Sequence, residues 1–234
     1  HYIADKGNDA QALVGYSHNP YKDFYTTLSN ANFLNGDVAH VRKGNFISTT
    51  EIPVINKDIK VYLEEGSVIE STGGHFLGVN NLTYVYNSAD TSNISVQGSG
   101  EIIHRPTSLT RMFYLPYNSD LNVKLKKLTL LAGSNQAWGI SLRNRKAIVH
   151  VDEVVANNNK LVCSFDSWAT LPNSELPSIR DVFIKTIKVT NQTSRANIIR
   201  IQPSNMADNS IDNIHVDNIY FDNTNILSGT LYFQ

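Results

Sequence analysis

Short runs of alternating apolar and polar residues occupy much of the chain from Gly36 onward. Residues 38–41, 59–63 and 94–97 each place an apolar side chain at every second position. Because successive side chains of a β-strand point to opposite faces, a period of two predicts strands of about four to six residues with one buried face. The pattern therefore predicts an all-β fold.

The first 35 residues follow a different pattern. Residues 23–33 carry apolar side chains at nearly helical spacing, namely Phe24, Leu28, Ala31 and Phe33. This spacing predicts a short amphipathic helix that caps the fold. We therefore divide the chain into an N-terminal cap segment, residues 1–35, and a β domain, residues 36–234.

A strand–corner–strand phrase recurs along the β domain. Two alternating strands flank a corner of two or three residues at 120–130, 179–189 and 211–221, with a weaker copy at 147–155. Further short strands precede these copies at 111–115, 138–142, 161–166 and 197–202, and their starts are 27, 23 and 36 residues apart. A repeat of this length is typical of a β-solenoid, whose stacked coils build the core. A β-sandwich also has many short strands, but it does not predict the repeated phrase.

The short preceding strands can be stacked in register. This places two columns inward: Phe113, Ile140, Cys163 and Ile199, then Leu115, Leu142, Phe165 and Ile201. Alternation sends two columns outward: Tyr114, Ser141, Ser164 and Arg200, then Pro116, Arg143, Asp166 and Gln202. Residues 231–234 continue the pattern with Leu231 and Phe233 inward, although they also match the end of a common protease-cleavage tag.

Composition limits the function classes. Twenty basic and 21 acidic residues leave a net charge of −1, so no long-range field draws the chain to nucleic acid or to an anionic membrane. The 27 asparagines suit sharp corners, because Asn tolerates left-handed backbone geometry. The lone cysteine, Cys163, excludes an internal disulfide, and the seven histidines lack metal-ligand spacing. We expect no metal and no other cofactor.

The run Asp58-Ile-Lys-Val-Tyr-Leu-Glu-Glu-Gly-Ser-Val-Ile69 resembles a phrase of the pectin-lyase-like right-handed parallel β-helix proteins, most of all the polygalacturonase-type glycoside hydrolases. Residues 36–46 and 93–102 are similar to further strand phrases of that family. Residues 199–203, with 211–221 after them, resemble its Arg-Ile-Lys coil and equally the Arg-Ile-Asn-Pro coil of dextranase-type hydrolases. The resemblance implies a right-handed parallel β-helix of about seven or eight coils.

The resemblance also implies hydrolysis of a polysaccharide, but this chain lacks the family's catalytic motifs. The Asn-Thr-Asp strand should fall near residues 157–166, where the chain reads Asn-Asn-Asn-Lys-Leu-Val-Cys-Ser-Phe-Asp. The family's Asp-Asp and Gly-His-Gly coils have no counterpart, and only Arg200 matches cleanly. Phage tail spikes share the fold with other active-site residues or with none. A non-catalytic glycan-binding module of a tail spike or adhesin is therefore the alternative function.

Asp166 is the candidate catalytic carboxylate on the predicted outward face. Inverting glycoside hydrolysis needs an acid and a base about 6.5–9.5 Å apart, which carboxylates on adjacent coils could supply. Glu175, in the long segment 169–177, is the second candidate. Arg143 and Arg200 would hold a sugar carboxylate, and the other candidate substrate-binding residues are Trp168, Tyr114 and Gln202. A solvated Asp–Arg ladder, an exposed loop Glu and ordinary aromatic packing are the structural alternatives.

The expected partner is a polysaccharide, acidic if the two arginines hold a sugar carboxylate. We expect no nucleic-acid or membrane partner, and a homotrimer if the protein is a tail spike. The resemblance implies an extracellular or virion-surface location, although the chain carries no visible signal peptide. A structural spacer without a ligand is the third interpretation.

Overall fold

The computed structural model describes residues 1–4, 6–8, 20–31, 33–50, 52–54, 56–78, 89–105, 111–115, 119–131, 138–142, 146–157, 161–166, 179–191, 196–202, 211–222 and 229–233. After Leu131, side chains are described for residues 146–157, 181–191 and 213–222. These residues form helix α1 (Phe24–Ser29) and the strands β1 (Tyr2–Ile3), β2 (Val38–Val41), β3 (Gly44–Ser48), β4 (Ile52–Pro53), β5 (Lys57–Leu63), β6 (Ser67–Ser71), β7 (Leu77–Gly78), β8 (Ser92–His104), β9 (Phe113–Tyr114), β10 (Asp120–Leu131), β11 (Trp138–Leu142), β12 (Lys146–Asn157), β13 (Leu161–Asp166), β14 (Ile179–Thr190), β15 (Ala196–Gln202), β16 (Ile211–Asp222) and β17 (Gly229–Phe233).

The strands form one long sheet and two short ones. The long sheet has ten strands and follows the order β1-β2-β5-β8-β10-β12-β14-β16, with β3 and β6 pairing beside this path. The short sheets are β4-β7-β9 and β11-β13-β15-β17. Every strand pairing within the described residues is parallel.

Paired residues lie one coil apart in the sequence. Val38 pairs with Lys60, 22 positions later, and Lys60 pairs with Ser95, 35 positions later. Parallel strands need such long connections, and from β2 to β16 each connection along this path carries a strand of one of the two short sheets. The predicted all-β parallel β-helix is confirmed, and its parallel pairing is incompatible with an antiparallel sandwich.

The predicted corners are bends within continuous strands. The sequence predicts two strands in residues 120–130, whereas β10 runs unbroken from Asp120 to Leu131. The alternation shifts phase at the bend, because Leu125 is buried, Lys126 is exposed and Leu128 is the next buried residue. The strand pairing resumes directly after the bend, although the register of β10 against β8 shifts between Leu125 and Lys127. β12 and β14 bend at the same place.

Stacked apolar side chains fill the interior along the long sheet. One buried column before the bend takes one residue from each coil: Ala39, Val61, Val96, Val123, Val149 and Val182. Another after the bend comprises Ile69, Ile102, Leu128, Val154 and Ile187. Each coil buries its apolar face against its neighbours, as in other solenoids.

Helix α1 caps the N-terminal coils. The Asp23 carboxylate accepts a hydrogen bond from the Thr26 backbone N–H at 2.6 Å, which fixes the helix start. Phe24 and Leu28 are buried, and the Phe24 ring stacks on Phe76 with centroids 5.6 Å apart. The predicted helix is confirmed, but it ends at Ser29 because the Asn30 backbone is extended.

The predicted register of the short strands is confirmed where it can be compared. Ile140 pairs with Cys163, and Cys163 pairs with Ile199. The second predicted column also pairs in order, from Leu142 through Phe165 to Ile201. The last strand continues both columns with Leu231 and Phe233.

Candidate functional site

The predicted site around Asp166 falls on the four-stranded sheet. Asp166 ends β13 and pairs with Gln202 of β15, while Ser164 pairs with Arg200. Asp166 and Arg200 thus lie on adjacent strands, two positions apart along the strand. The positions of Arg143, Trp168 and Glu175 lie outside the described residues, as do the side chains of Asp166, Arg200 and Gln202. Their roles remain predictions.

Tyr114, another predicted binding residue, is half-buried in β9. Its ring stacks on His75 with centroids 4.9 Å apart, and the Arg111 guanidinium carbon lies 4.7 Å from its ring centroid. Cation–π and ring contacts of this kind stabilise a packed side chain. They account for the position of Tyr114 and leave glycan binding by it as a prediction.

Two buried histidines lie in the interior beneath this region. His75 Nδ1 accepts a hydrogen bond from the Arg111 backbone N–H at 2.9 Å. Neither ring nitrogen of His104 has a hydrogen-bond partner among the described residues. Burial lowers the pKa of His75 to about 4 and the pKa of His104 to about 3. Both imidazoles are therefore neutral near pH 7 and belong to the core.

An outward column of side chains runs along the long sheet. It takes one residue from each of eight paired strands: Tyr2, His40, Tyr62, Gln97, Lys124, His150, Phe183 and His215. We call this column the outward ladder. Its rungs are about 4.8 Å apart, the usual spacing of paired strands. The ladder presents rings at both ends and is interrupted at Gln97 and Lys124.

Neighbouring rings of the outward ladder contact one another. Tyr2 and His40 stack with centroids 5.2 Å apart, and Phe183 and His215 stack with centroids 5.3 Å apart. Tyr62 is 45% exposed and Phe183 is 37% exposed. Exposed aromatic faces can pack against the apolar faces of sugar rings, so both are candidate binding residues.

A furrow crosses the ladder where its rings are interrupted. Three depressions of about 250, 280 and 550 Å³ follow strands β8 and β10 from near their first residues to just past the bend. Asn93 and Asn122 border the first, Ser99 and Lys124 the second, and Glu101 the third. We call these depressions together the β8–β10 furrow.

The furrow exists because β8 carries small outward side chains. Ser95 and Ser99 occupy outward positions of β8. The column of Ser95 contains the larger side chains of Lys60 on one side and Ile148 on the other. The eight residue steps from Asn93 to Glu101 follow about 25 Å of backbone and include the bend of β8 at Gly98. The depressions therefore follow one another along the bent strand.

Carboxylates and ammonium groups line the furrow in equal number. The six carboxylates belong to Asp58, Glu65, Glu101, Asp120, Asp152 and Glu153. The six ammonium groups belong to Lys60, Lys124, Lys126, Lys127, Lys146 and Lys185. Because the two signs balance, the furrow carries no net formal charge from these groups.

Some of these groups are paired and others are not. Lys127 Nζ lies 3.2 Å from Glu101 Oε1, and the Asn93 side-chain amide donates to Asp58 Oδ1 at 2.7 Å. Within the described part of the chain, the side chains of Asp120, Lys60 and Lys146 have no ion pair or hydrogen bond. These three side chains are available to polar groups of a ligand.

The sequence carries one signal for the furrow. The outward side chains of β8 from Asn93 to Ser99 include no aromatic and no charged residue, although the run lies within a strand. Among the described residues, no group of three or more His, Cys, Asp or Glu side chains is arranged to hold a metal ion. The groups that the furrow offers to a ligand are charged and neutral hydrogen-bonding side chains, with exposed aromatic rings nearby.

Comparisons with known proteins leave the family open. No protein-family model matches the chain, and no curated protein or solved structure matches it. No helix in the described ranges is long and apolar enough to cross a membrane.

Proposed function

We propose that this parallel β-helix binds a polysaccharide in the β8–β10 furrow. The observation that supports the proposal is an elongated furrow with a polar lining, beside the exposed rings of Tyr62 and Phe183. A glycan offers hydroxyls to the polar lining and apolar ring faces to the aromatic side chains. An extended glycan chain can follow the successive depressions along β8 and β10.

The resemblance of the coil phrases to pectin-lyase-like proteins supports the same function class. Residues 58–69 and 93–102, which carry much of that resemblance, supply part of the furrow lining. Since one fold can host several functions, the side chains that line the furrow support the proposed function more strongly than the resemblance does. A polysaccharide ligand fits an extracellular or virion-surface location, as in a hydrolase or a tail spike.

Aromatic substitutions test the binding site. We expect Tyr62→Ala and Phe183→Ala each to weaken glycan binding by about twofold to tenfold, because an aromatic contact contributes about 0.5–1.5 kcal/mol. The matched control is Tyr220→Ala, since Tyr220 is 55% exposed on the same sheet but pairs with Lys188, outside the outward ladder, and does not border the furrow. Dissociation constants for a polysaccharide panel, measured by calorimetry, provide the readout.

The control decides how a loss of binding is interpreted. If Tyr220→Ala weakens binding as much as Tyr62→Ala, the loss is not specific to the furrow. If none of the three variants changes the dissociation constant of a bound glycan, the glycan binds elsewhere. Either result contradicts the proposed site.

Hydrolysis of the bound glycan is the second candidate function. Asp58, Asn93 and Asp120 stand in one outward column, so the two aspartates are two rungs apart. Two rungs correspond to about 9–10 Å, close to the upper limit of the about 6.5–9.5 Å that inverting glycosidases use. Both aspartates border the furrow, which places a carboxylate pair beside the proposed ligand.

Release of new reducing ends tests hydrolysis. Asp120→Asn should abolish cleavage if the furrow is catalytic, because the amide keeps the shape but cannot act as acid or base. Asp166→Asn is the matched substitution at the site predicted on the four-stranded sheet. If only Asp120→Asn loses cleavage, the result favours the furrow as the catalytic site. If only Asp166→Asn loses cleavage, the result favours the site on the four-stranded sheet. Binding without new reducing ends in the unsubstituted protein would support a glycan-binding module instead.

A further inference from the structure

Charges of opposite sign follow one another from coil to coil inside the furrow. Glu101 pairs in register with Lys127, and Lys127 pairs with Glu153. In the column nearer the strand starts, Asp120 pairs with Lys146. Each lysine in these two columns therefore has a carboxylate one rung away, about 4.8 Å along the sheet.

This alternation weakens the attraction of the furrow for a polyanion. Opposite charges one rung apart lie within the Debye length of about 8 Å at physiological ionic strength, so a repeating anion senses both signs. A polyanion bound there would place carboxylates against Glu101, Glu153 or Asp120 as well as against lysines. Juxtaposed like charges oppose binding and so discriminate against such a partner.

The same groups are suited to uncharged hydroxyls. The side chains of Lys60, Lys146 and Asp120 make no ion pair or hydrogen bond within the described residues, so they retain donors and acceptors. A hydroxyl both donates and accepts, and its hydrogen bonds to charged groups are stronger than those to neutral ones.

We infer that the furrow selects a neutral, hydroxyl-rich glycan over an acidic one. This inference rests on the proposed function, because it names the ligand class of the same furrow. It also separates the furrow from the site predicted with Arg143 and Arg200, where the two arginines would hold an acidic sugar. Ligand charge therefore discriminates between the two surfaces.

Salt dependence is the first test. Dextran, mannan and xylan serve as neutral probes, and polygalacturonate and alginate serve as acidic probes, each at about 20 mM and about 300 mM NaCl. We expect at least one neutral probe to bind with a dissociation constant that changes less than about twofold between the two salt concentrations. An acidic probe that binds more tightly than all neutral probes, with affinity falling about tenfold or more in salt, would overturn the inference.

Charge reversal is the second test. Asp120→Lys removes one carboxylate and adds one ammonium group, so the furrow should gain affinity for polygalacturonate by about threefold or more. Asp222→Lys makes the same change at an exposed position outside the furrow and should produce no such gain. An equal gain in both variants would show that overall charge, not the furrow, controls polyanion binding.

The outcomes distinguish the inference from the proposed function. If an acidic probe binds tightly and in a salt-dependent manner, and this binding is lost in Tyr62→Ala, the result supports the furrow as the binding site but overturns its selectivity for neutral glycans. If binding of an acidic probe is lost in Arg200→Ala and unchanged in Tyr62→Ala, the binding site lies on the four-stranded sheet. This result contradicts both the proposed function of the furrow and its inferred selectivity. Failure of every probe to bind also contradicts both.

Discussion

At the scale of single residues, His104 is the least expected side chain of the core. It lies in the buried column between Ser71 and Leu130 and is 1% exposed, with no hydrogen-bond partner within the described residues for either ring nitrogen. Burying an unpaired polar group costs free energy. His104 is tolerated because burial keeps its imidazole neutral.

Acid should destabilise the fold through His104 and His75. Their pKa values are about 3 and about 4 in the folded protein, below the ordinary 6.5. A group whose pKa is lowered by folding stabilises the fold above its unfolded pKa, and this contribution is lost as pH falls towards the folded pKa. The free energy of unfolding should therefore fall as the pH is lowered from about 6 to about 4, by at most about 1.4 kcal/mol per pH unit for each histidine.

His104→Leu should reduce this acid sensitivity. Leucine removes both unpaired nitrogens and suits an apolar column, so the variant should be at least as stable as the original protein at pH 7. Urea unfolding at pH 7 and pH 5 provides the comparison. His215→Gln is the control, because the His215 side chain is 65% exposed. An unchanged pH slope in His104→Leu would show that His104 does not contribute to acid sensitivity.

At the scale of elements, the bend of β8 depends on Gly98. This residue pairs with both Leu63 and Leu125 and has a positive φ of 127°. A Cβ built there would lie 2.0 Å from the Leu63 backbone oxygen. Glycine is therefore required by backbone conformation and by space, and β8 can approach β5 closely at the corner.

Gly98→Ala should be strongly destabilising, by about 3 kcal/mol or more, since it combines backbone strain with a backbone clash. Gly36→Ala is the matched control, because Gly36 also has a positive φ, 90°, but nothing lies within 4 Å of its added Cβ. The control should lose only about 1 kcal/mol from backbone strain. Equal melting temperatures for the two variants would contradict this account of the corner.

The strand pattern could be predicted because period-two alternation reports burial directly. Successive coils place similar apolar residues at one position, namely Ile140, Cys163 and Ile199. The register of these strands could therefore be predicted from the sequence. The continuity of β10 through its bend was not predicted. Two consecutive polar residues, Lys126 and Lys127, produce the same pattern whether the backbone breaks or stays extended.

At the scale of the whole molecule, the furrow arises from differences between coils. Ser95 is an ordinary polar residue in the sequence, and it borders a depression only because larger side chains such as Lys60 and Ile148 stand in the same column. Those neighbours come from other coils, and the connecting segments differ in length. Sequence reasoning instead selected Asp166 and its neighbours, because they stand near aromatic residues and a long segment of the chain.

The proposed binding surface also depends on stacking across the whole solenoid. Tyr62 and Phe183 are far apart in the sequence, but they belong to one column because each coil repeats the same register. A solenoid can present such a column without an enclosed cavity. Substitutions that change the register should therefore affect glycan binding even where they touch no ligand.

The structure of the protein with a bound oligosaccharide of the best-binding polysaccharide tests the central claim most directly. The account predicts sugar rings along β8 and β10, with hydroxyls near Ser95 and Asp120 and a ring face against Tyr62 or Phe183. Sugar bound instead on the four-stranded sheet beside Asp166 and Arg200 would contradict the furrow as the binding site.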